Sequence, residues 1–311
     1  MKQRYEKFVL EAGKDVTFDV SEGTSGELII RALNIATVNV YSTNYVNPPI
    51  PEGYKHVCGE WNNGFVIERS SDGSQFVWIP VGSLDSNGTL DGVSFVEKFG
   101  RRNYLNNNFN YLQYRETRWY ESEYKEPLTA ELSLQIESVK KYGGFYISRY
   151  NISKSPQGKP QSIKGVMPWV DINFDDAKEV ASTIEDNEAV KSHLTFGAEY
   201  DSVLEWFMKS NVRTLSEILE DSTNWGNFNI EDSPKKLVET GSREEWSTNN
   251  IYDFAGNAAE WTQEQYNNSC RVYRGGCYIT GGCVDSVARR HHVGLNYDGF
   301  EVGFRAVLWL K

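Results

Sequence analysis

The sequence predicts an α+β protein, in which a small all-β N-terminal domain precedes one larger mixed domain. Three observations carry this reading. Residues 8 to 45 alternate apolar and polar side chains between Gly, Ser and Asn turns, the period of half-buried strands. Three later stretches carry apolar residues at helical spacing and are set among strand-like runs. Aromatic residues are dense, with 18 Tyr, 15 Phe and 9 Trp in 311 residues, which suits a β-rich protein with aromatic-lined surfaces.

Taken in order, residues 1–46 read as three or four short strands, including "VTFDV", "GELIIRA" and "ATVNVYS". A piece this small buries little surface alone, so it is expected to attach, pair or oligomerise. Residues 47–53, "NPPIPEG", read as a stiff proline-rich linker. The larger domain spans 54–311. Within it, "GFVIERSSDGSQFVWIPVG" reads as strand, Asp72-Gly73 turn and strand. Residues 83–126 are polar, aromatic and irregular, a long insertion of the kind that tends to be functional.

Residues 128–142 place Leu128, Leu132, Ile136 and Val139 on one helical face, and Gly143-Gly144 ends that helix. Residues 145–153 resume strand. Asn173 reads as the cap of a second helix with acidic residues in its first turn. A third helix over 197–211 places Tyr200, Val203, Leu204 and Phe207 together. From 208 onward the chain reads as turn-rich with short strands.

A net charge of −11, from 32 basic and 43 acidic residues, argues against nucleic acid and anionic membrane as partners. No run of apolar residues is long enough to span a bilayer. The four cysteines, Cys58, Cys270, Cys277 and Cys283, form no disulfide framework. The last three lie close in sequence, which allows either one local disulfide or buried free thiols. The basic start "MKQRYEKFVLEAGKDV" has no apolar core of a secretory signal, so cytoplasmic synthesis without such a peptide is expected.

Ordered elements then converge. "FVWIPVG" is followed by "GGFYISRYNIS", "PWVDINFDDAKEVAS", "HLTFGAEYDSVLEW", "NIYDFAGNAAEWT" and finally "RVYRGGCY" with "GFRAVL". This set, over roughly residues 60 to 310, resembles the formylglycine-generating, or sulfatase-modifying factor, family. The resemblance implies a variant of the C-type lectin fold for the larger domain.

It also implies candidate sites. Asn257 and Glu260 match a turn that holds structural calcium in the family, where amide, carboxylate and carbonyl oxygens meet a hard cation. The alternative is that Asn257 ties the turn's own backbone together. Trp261 and Phe304 read as core aromatics, and Arg305 as a buried arginine that organises loops.

The family's enzymes bind copper through two cysteines, as soft thiolate ligation allows. Here the place of the first falls on Thr280, and Cys283 matches the second only with a shift of two residues. Cys277 stands where the family has serine. Copper is therefore not expected, and an oxidase using Cys277 and Cys283 is the alternative reading. A three-histidine iron branch is excluded, because only His56, His193, His291 and His292 are present and the last two are adjacent.

A third branch of the superfamily is non-catalytic and displays the segment between Arg-Gly-Gly and Gly-Phe-Arg as a binding face. In this chain that segment offers Tyr278, Thr280, Asp285, Arg289, His291, His292, Asn296, Tyr297 and Asp298. Rigid tyrosines among hydrogen-bonding groups make an adaptable binding surface. The expectation is a non-enzymatic, homo-oligomeric protein of a phage tail or related particle, or else a structural component of one. It would sit on the virion surface, or in the cytoplasm, bind a cell-surface glycan or protein ligand, and contact particle or tail proteins through residues 1–46.

Overall fold

The computed structural model describes residues 48–82, 99–103, 110–111 and 126–311. The all-β module expected over 1–46 and most of the insertion expected over 83–126 lie outside the described residues. The prolines of the expected linker are seated on the larger domain. Pro48 and Pro51 are buried, and the Tyr146 hydroxyl donates to the Pro49 carbonyl at 3.1 Å.

The larger sheet holds six strands: β1 (Tyr54–Cys58), β2 (Val66–Arg69), β3 (Gln75–Pro80), β4 (Gly144–Ser148), β5 (Val190–Leu194) and β10 (Ala306–Leu310). Their spatial order is β1-β2-β3-β4-β10-β5, and every pairing is antiparallel. Both faces are covered, and the two-residue period of a strand sorts the side chains between them. Val77, Ile79, Phe145, Ile147 and Val307 enter one apolar cluster. Phe76, Trp78, Tyr146, Leu308 and Leu310 enter the other. A core strand is therefore apolar along its whole length, as "FVWIP" is.

Helices α1 (Ala130–Tyr142) and α3 (Gly197–Lys209) belong to the first cluster, and α2 (Phe174–Ser182) to the second. Thr129 caps α1 by accepting from the Leu132 N–H at 3.1 Å, so Leu128 lies ahead of the helix and stays exposed. Gly143 closes it at φ 77°, a left-handed turn that favours glycine. Asn173 caps α2 as expected. The stretch after 208 is more regular than its sequence suggests. It contains α4 (Leu215–Leu219) and a nine-residue strand, β6 (Ala259–Asn267).

Strand β6 anchors a second sheet with β7 (Cys270–Arg274), β8 (His291–Gly294) and β9 (Val302–Phe304), in the order β8-β7-β6-β9. Strand β9 runs parallel to β6, with Glu260 opposite Gly303 and Trp261 opposite Phe304. Trp261 and Phe304 are fully buried, as core aromatics should be.

Between α3 and this sheet lies a dry ionic network. Glu264 on β6 accepts from Arg290 at 2.6 Å, Arg274 at 3.0 Å and Arg101 at 3.3 Å. Asp201 on α3 accepts from the same Arg274 and Arg290 at 2.9 and 2.6 Å. Burial alone pushes the Glu264 carboxyl up, but the guanidiniums of Arg290, Arg274 and Arg101 hold it below the ordinary range. Glu126 completes the cluster by accepting from the backbone N–H groups of Gly197 and Ala198 at the start of α3. A methyl group on Gly197 would come within 2.3 Å of the Glu264 side chain, which explains glycine there.

Glu126 has the opposite fate to Glu264. Burial, reinforced by the neighbouring Glu264 carboxylate, pushes its pKa up to about 8. A carboxyl raised above its unfolded value stabilises the fold below that pH and loses the contribution as pH rises through about 8. Unfolding measured across pH should therefore show wild-type stability falling between the ordinary carboxylate range and about pH 8, by up to about 1.4 kcal/mol per pH unit, and levelling off above that. Glu126→Gln should flatten this decline, and an unchanged profile below about pH 8 would contradict the assignment.

Candidate functional site

The candidate site grows from the end of β7. Gly275 and Gly276 follow Arg274 at φ 95° and 68°, both in the left-handed region. A side chain on Gly276 would lie 2.4 Å from the Asp285 carbonyl oxygen and 2.6 Å from the Phe228 ring. The double glycine thus lets the chain turn sharply between buried groups and emerge at the surface.

The emerging segment is held from below. The Tyr278 N–H donates to the Asn257 carbonyl at 3.1 Å, and the Asn229 N–H donates to the Thr280 carbonyl at 2.8 Å. The Thr280 hydroxyl donates to the Cys277 carbonyl at 3.2 Å and lies 3.8 Å from the Cys277 sulfur. Tyr278 and Thr280 are half-buried, with Ile279 exposed between them.

The nine residues expected to form a binding face divide into three groups. Arg289, His292, Asn296 and Asp298 are exposed. The Arg289 guanidinium reaches the Val284 carbonyl, and His292 stacks on Tyr266 with ring centroids 3.5 Å apart. Tyr278, Thr280, His291 and Tyr297 are half-buried. The Tyr297 hydroxyl donates to Glu301, and that bond is the main reason its pKa is raised. Asp285 is buried beside His291, which stacks on Tyr273 at 5.6 Å. Asp285 is therefore an internal brace and not part of an outward face. Adjacent His291 and His292 turn to opposite sides, as neighbours on a strand must.

The structure adds residues that sequence reasoning missed. Ile279, Val284 and Phe300 stand 44%, 60% and 56% exposed. They are three of the large apolar side chains most open to solvent among the described residues. Phe300 and Phe304 are identical in kind and four residues apart, so composition alone does not separate the exposed ring from the buried one. A shallow depression lined by Asn268, Ser269, Val293, Leu295, Asn296 and Tyr297 lies on the same region.

The two cysteines do not make a thiolate pair. Cys277 is buried in the apolar cluster, where burial raises its pKa, whereas Cys283 is exposed. One sulfur in the core and one in solvent do not fit two thiolates on a single copper ion.

The Asn257–Glu260 turn is closed by protein groups. Asn257, at φ 60°, accepts through its side-chain oxygen from Asn227 at 3.0 Å and from the Val238 N–H at 3.1 Å. Its amide donates to the Val238 carbonyl at 3.1 Å. One Glu260 oxygen accepts from Arg305 at 2.6 Å and from Asn151 at 2.9 Å. Arg305 also donates to the Ser148 carbonyl at 2.9 Å and to the Tyr252 carbonyl. Asn257 is spent on N–H donors and one Glu260 oxygen is paired to a guanidinium, while the other Glu260 oxygen is buried without a hydrogen-bond partner. The arginine supplies the positive charge. Burial raises Glu260 to about 7 despite that partner.

The sulfatase-modifying factor enzyme 1-like domain model matches residues 68–309. The chain belongs to the sulfatase-modifying factor family. The C-type lectin-like fold expected of that family is the one observed. Among solved structures, PvdO from Pseudomonas aeruginosa is similar at 14% identity and a TM-score of 0.47, covering 81% of this chain and 100% of its own. CarF is similar at 13% identity and a TM-score of 0.38, covering 54% and 87%. Treponema denticola variable protein 1 is similar at 14% identity and a TM-score of 0.32, covering 76% and 96%. No curated protein matches the sequence.

Two measurements follow from the turn. Chelation or added calcium should leave the wild-type melting temperature unchanged. Arg305→Met strands the buried Glu260 charge and should cost about 3–5 kcal/mol in denaturant unfolding. A chelator-induced fall in melting temperature would restore calcium to the turn.

Proposed function

We propose that this family member is a non-catalytic binding module that recognises a cell-surface ligand through the segment between Arg274-Gly275-Gly276 and Gly303-Phe304-Arg305. One observation carries the reading. Ile279, Val284 and Phe300 project into solvent from a segment whose anchoring groups, among them Arg274, Asp285 and Arg290, are buried. Exposed apolar side chains on a rigid base, rimmed by Arg289, Asn296 and Asp298, form the anatomy of an interface. The burial of Cys277, against the exposure of Cys283, supports the same reading.

The setting we propose is a phage tail or related particle. Residues 1–46 would dock the chain to particle proteins or to further copies of itself, leaving the larger domain to meet a bacterial surface.

The test is adsorption. Fluorescently labelled wild-type protein should be retained by intact cells of at least one strain in a bacterial panel. The Ile279→Ser/Phe300→Ser double variant, which loses exposed apolar area only, should melt as wild type and be retained at least about tenfold less. Equal retention of both proteins, or none by wild type across the panel, would overturn the proposal.

A further inference from the structure

The partner's chemistry can be read from one part of that face. Backbone hydrogen bonds place its members together. The Tyr278 N–H donates to the Asn257 carbonyl at 3.1 Å, and the Ala259 N–H donates to the Glu301 carbonyl at 2.9 Å. Tyr278 and Glu301 therefore flank the same three residues. The Asp171 N–H reaches the Gly299 carbonyl at 3.3 Å, which brings Asp171 beside Phe300. The result places Tyr278 near Asp171 and Glu301, with exposed Phe300 and Asp298 adjoining Glu301 in the chain and exposed Ile279 following Tyr278.

The carboxylates of this edge are short of cations. One Glu301 oxygen takes the Tyr297 hydroxyl, and the other is buried without a hydrogen-bond partner, so Asp171 and Asp298 are the exposed carboxylates of the edge. Glu301 and Asp171 both push the Tyr278 hydroxyl upward, after burial, so the local field is acidic. Nearby cations are engaged elsewhere. Arg289 is turned to the Val284 carbonyl and Lys154 to the Trp169 ring. Arg290 is buried in the Glu264 network.

We infer that this face takes a cationic protein segment, which lays lysine or arginine side chains against its rings and carboxylates. The inference rests on the binding reading above and narrows its ligand. An ammonium or guanidinium gains from the faces of Tyr278 and Phe300 and from the carboxylates beside them. Exposed Ile279 and Phe300 at the centre favour a protein with apolar side chains of its own over a polar glycan. A polyanion such as a phosphate polymer meets repulsion here and from the chain's net charge of −11.

The experiment measures binding of fluorescein-labelled oligolysine and oligoglutamate peptides to the full chain by anisotropy. Oligolysine should bind and oligoglutamate should not. Asp171→Asn/Glu301→Gln should weaken oligolysine at least about tenfold, and so should Phe300→Ser. Glu137→Gln/Glu188→Gln removes the same charge from exposed positions elsewhere and should change binding less than about twofold. Equal losses in the two double variants, wild-type affinity in Phe300→Ser, or no oligolysine binding would each overturn the inference. Cell adsorption that survives Asp171→Asn/Glu301→Gln but fails in Ile279→Ser/Phe300→Ser would keep the binding reading and remove the cationic partner.

Discussion

The fold turns on the burial of Glu264. A carboxylate withdrawn from water is tolerable only when charge and hydrogen bonds replace its hydration, and here three guanidiniums do so. They arrive from different places: Arg274 at the end of β7, Arg290 just ahead of β8, and Arg101 from far upstream. Asp201 brings α3 to the same arginines. Removing one member would leave its partners charged and dry, so the network acts as a unit. Its geometric effect matters more than its net energy, which buried ion pairs rarely make large. Both ends of the candidate binding segment start from fixed points.

That arrangement separates support from display. Between Arg274 and Arg305 the chain returns inward at Asp285, at Val287 and Ala288, and at Arg290, and all of these are buried. Of the side chains in between, Ile279, Val284, Arg289, Asn296, Asp298 and Phe300 face water. A lectin-like scaffold of this kind tolerates different outward residues because its core does not consult them. The same logic accounts for the cysteines, since Cys277 belongs to the support and Cys283 to the display.

Much of the fold was legible in the sequence because it is written in local terms. The helices announce themselves through Asn173 and Gly143, and the core strands through unbroken apolar runs. Arg305 could be read as a buried organiser because it sits between core aromatics. The candidate site was less legible, for a definite reason. Asp285 resembles any loop aspartate until His291 is placed beside it, and Asn257 resembles a metal ligand until Asn227 and Val238 saturate it. Glu260 finds its counter-charge 45 residues away, and Glu264 meets Arg101 across 163. Such partnerships leave no periodic trace. The exposure of Phe300 was illegible on the same ground, because a ring is turned outward by what surrounds it and not by its own identity.

The position of β10 bears on how the molecule is made. This last strand lies inside the larger sheet, between β4 and β5, instead of at an edge. Its pairings join Val307 to Ile147 on one side and to His193 on the other. Without residues 306–310 the sheet is split, and strands β1 to β4 are left with an open edge beside β5. Closing loops of this length is entropically slow, so the two parts of the sheet should join slowly and together. During that wait the unpaired strand edges are the surfaces a chaperone would need to shield.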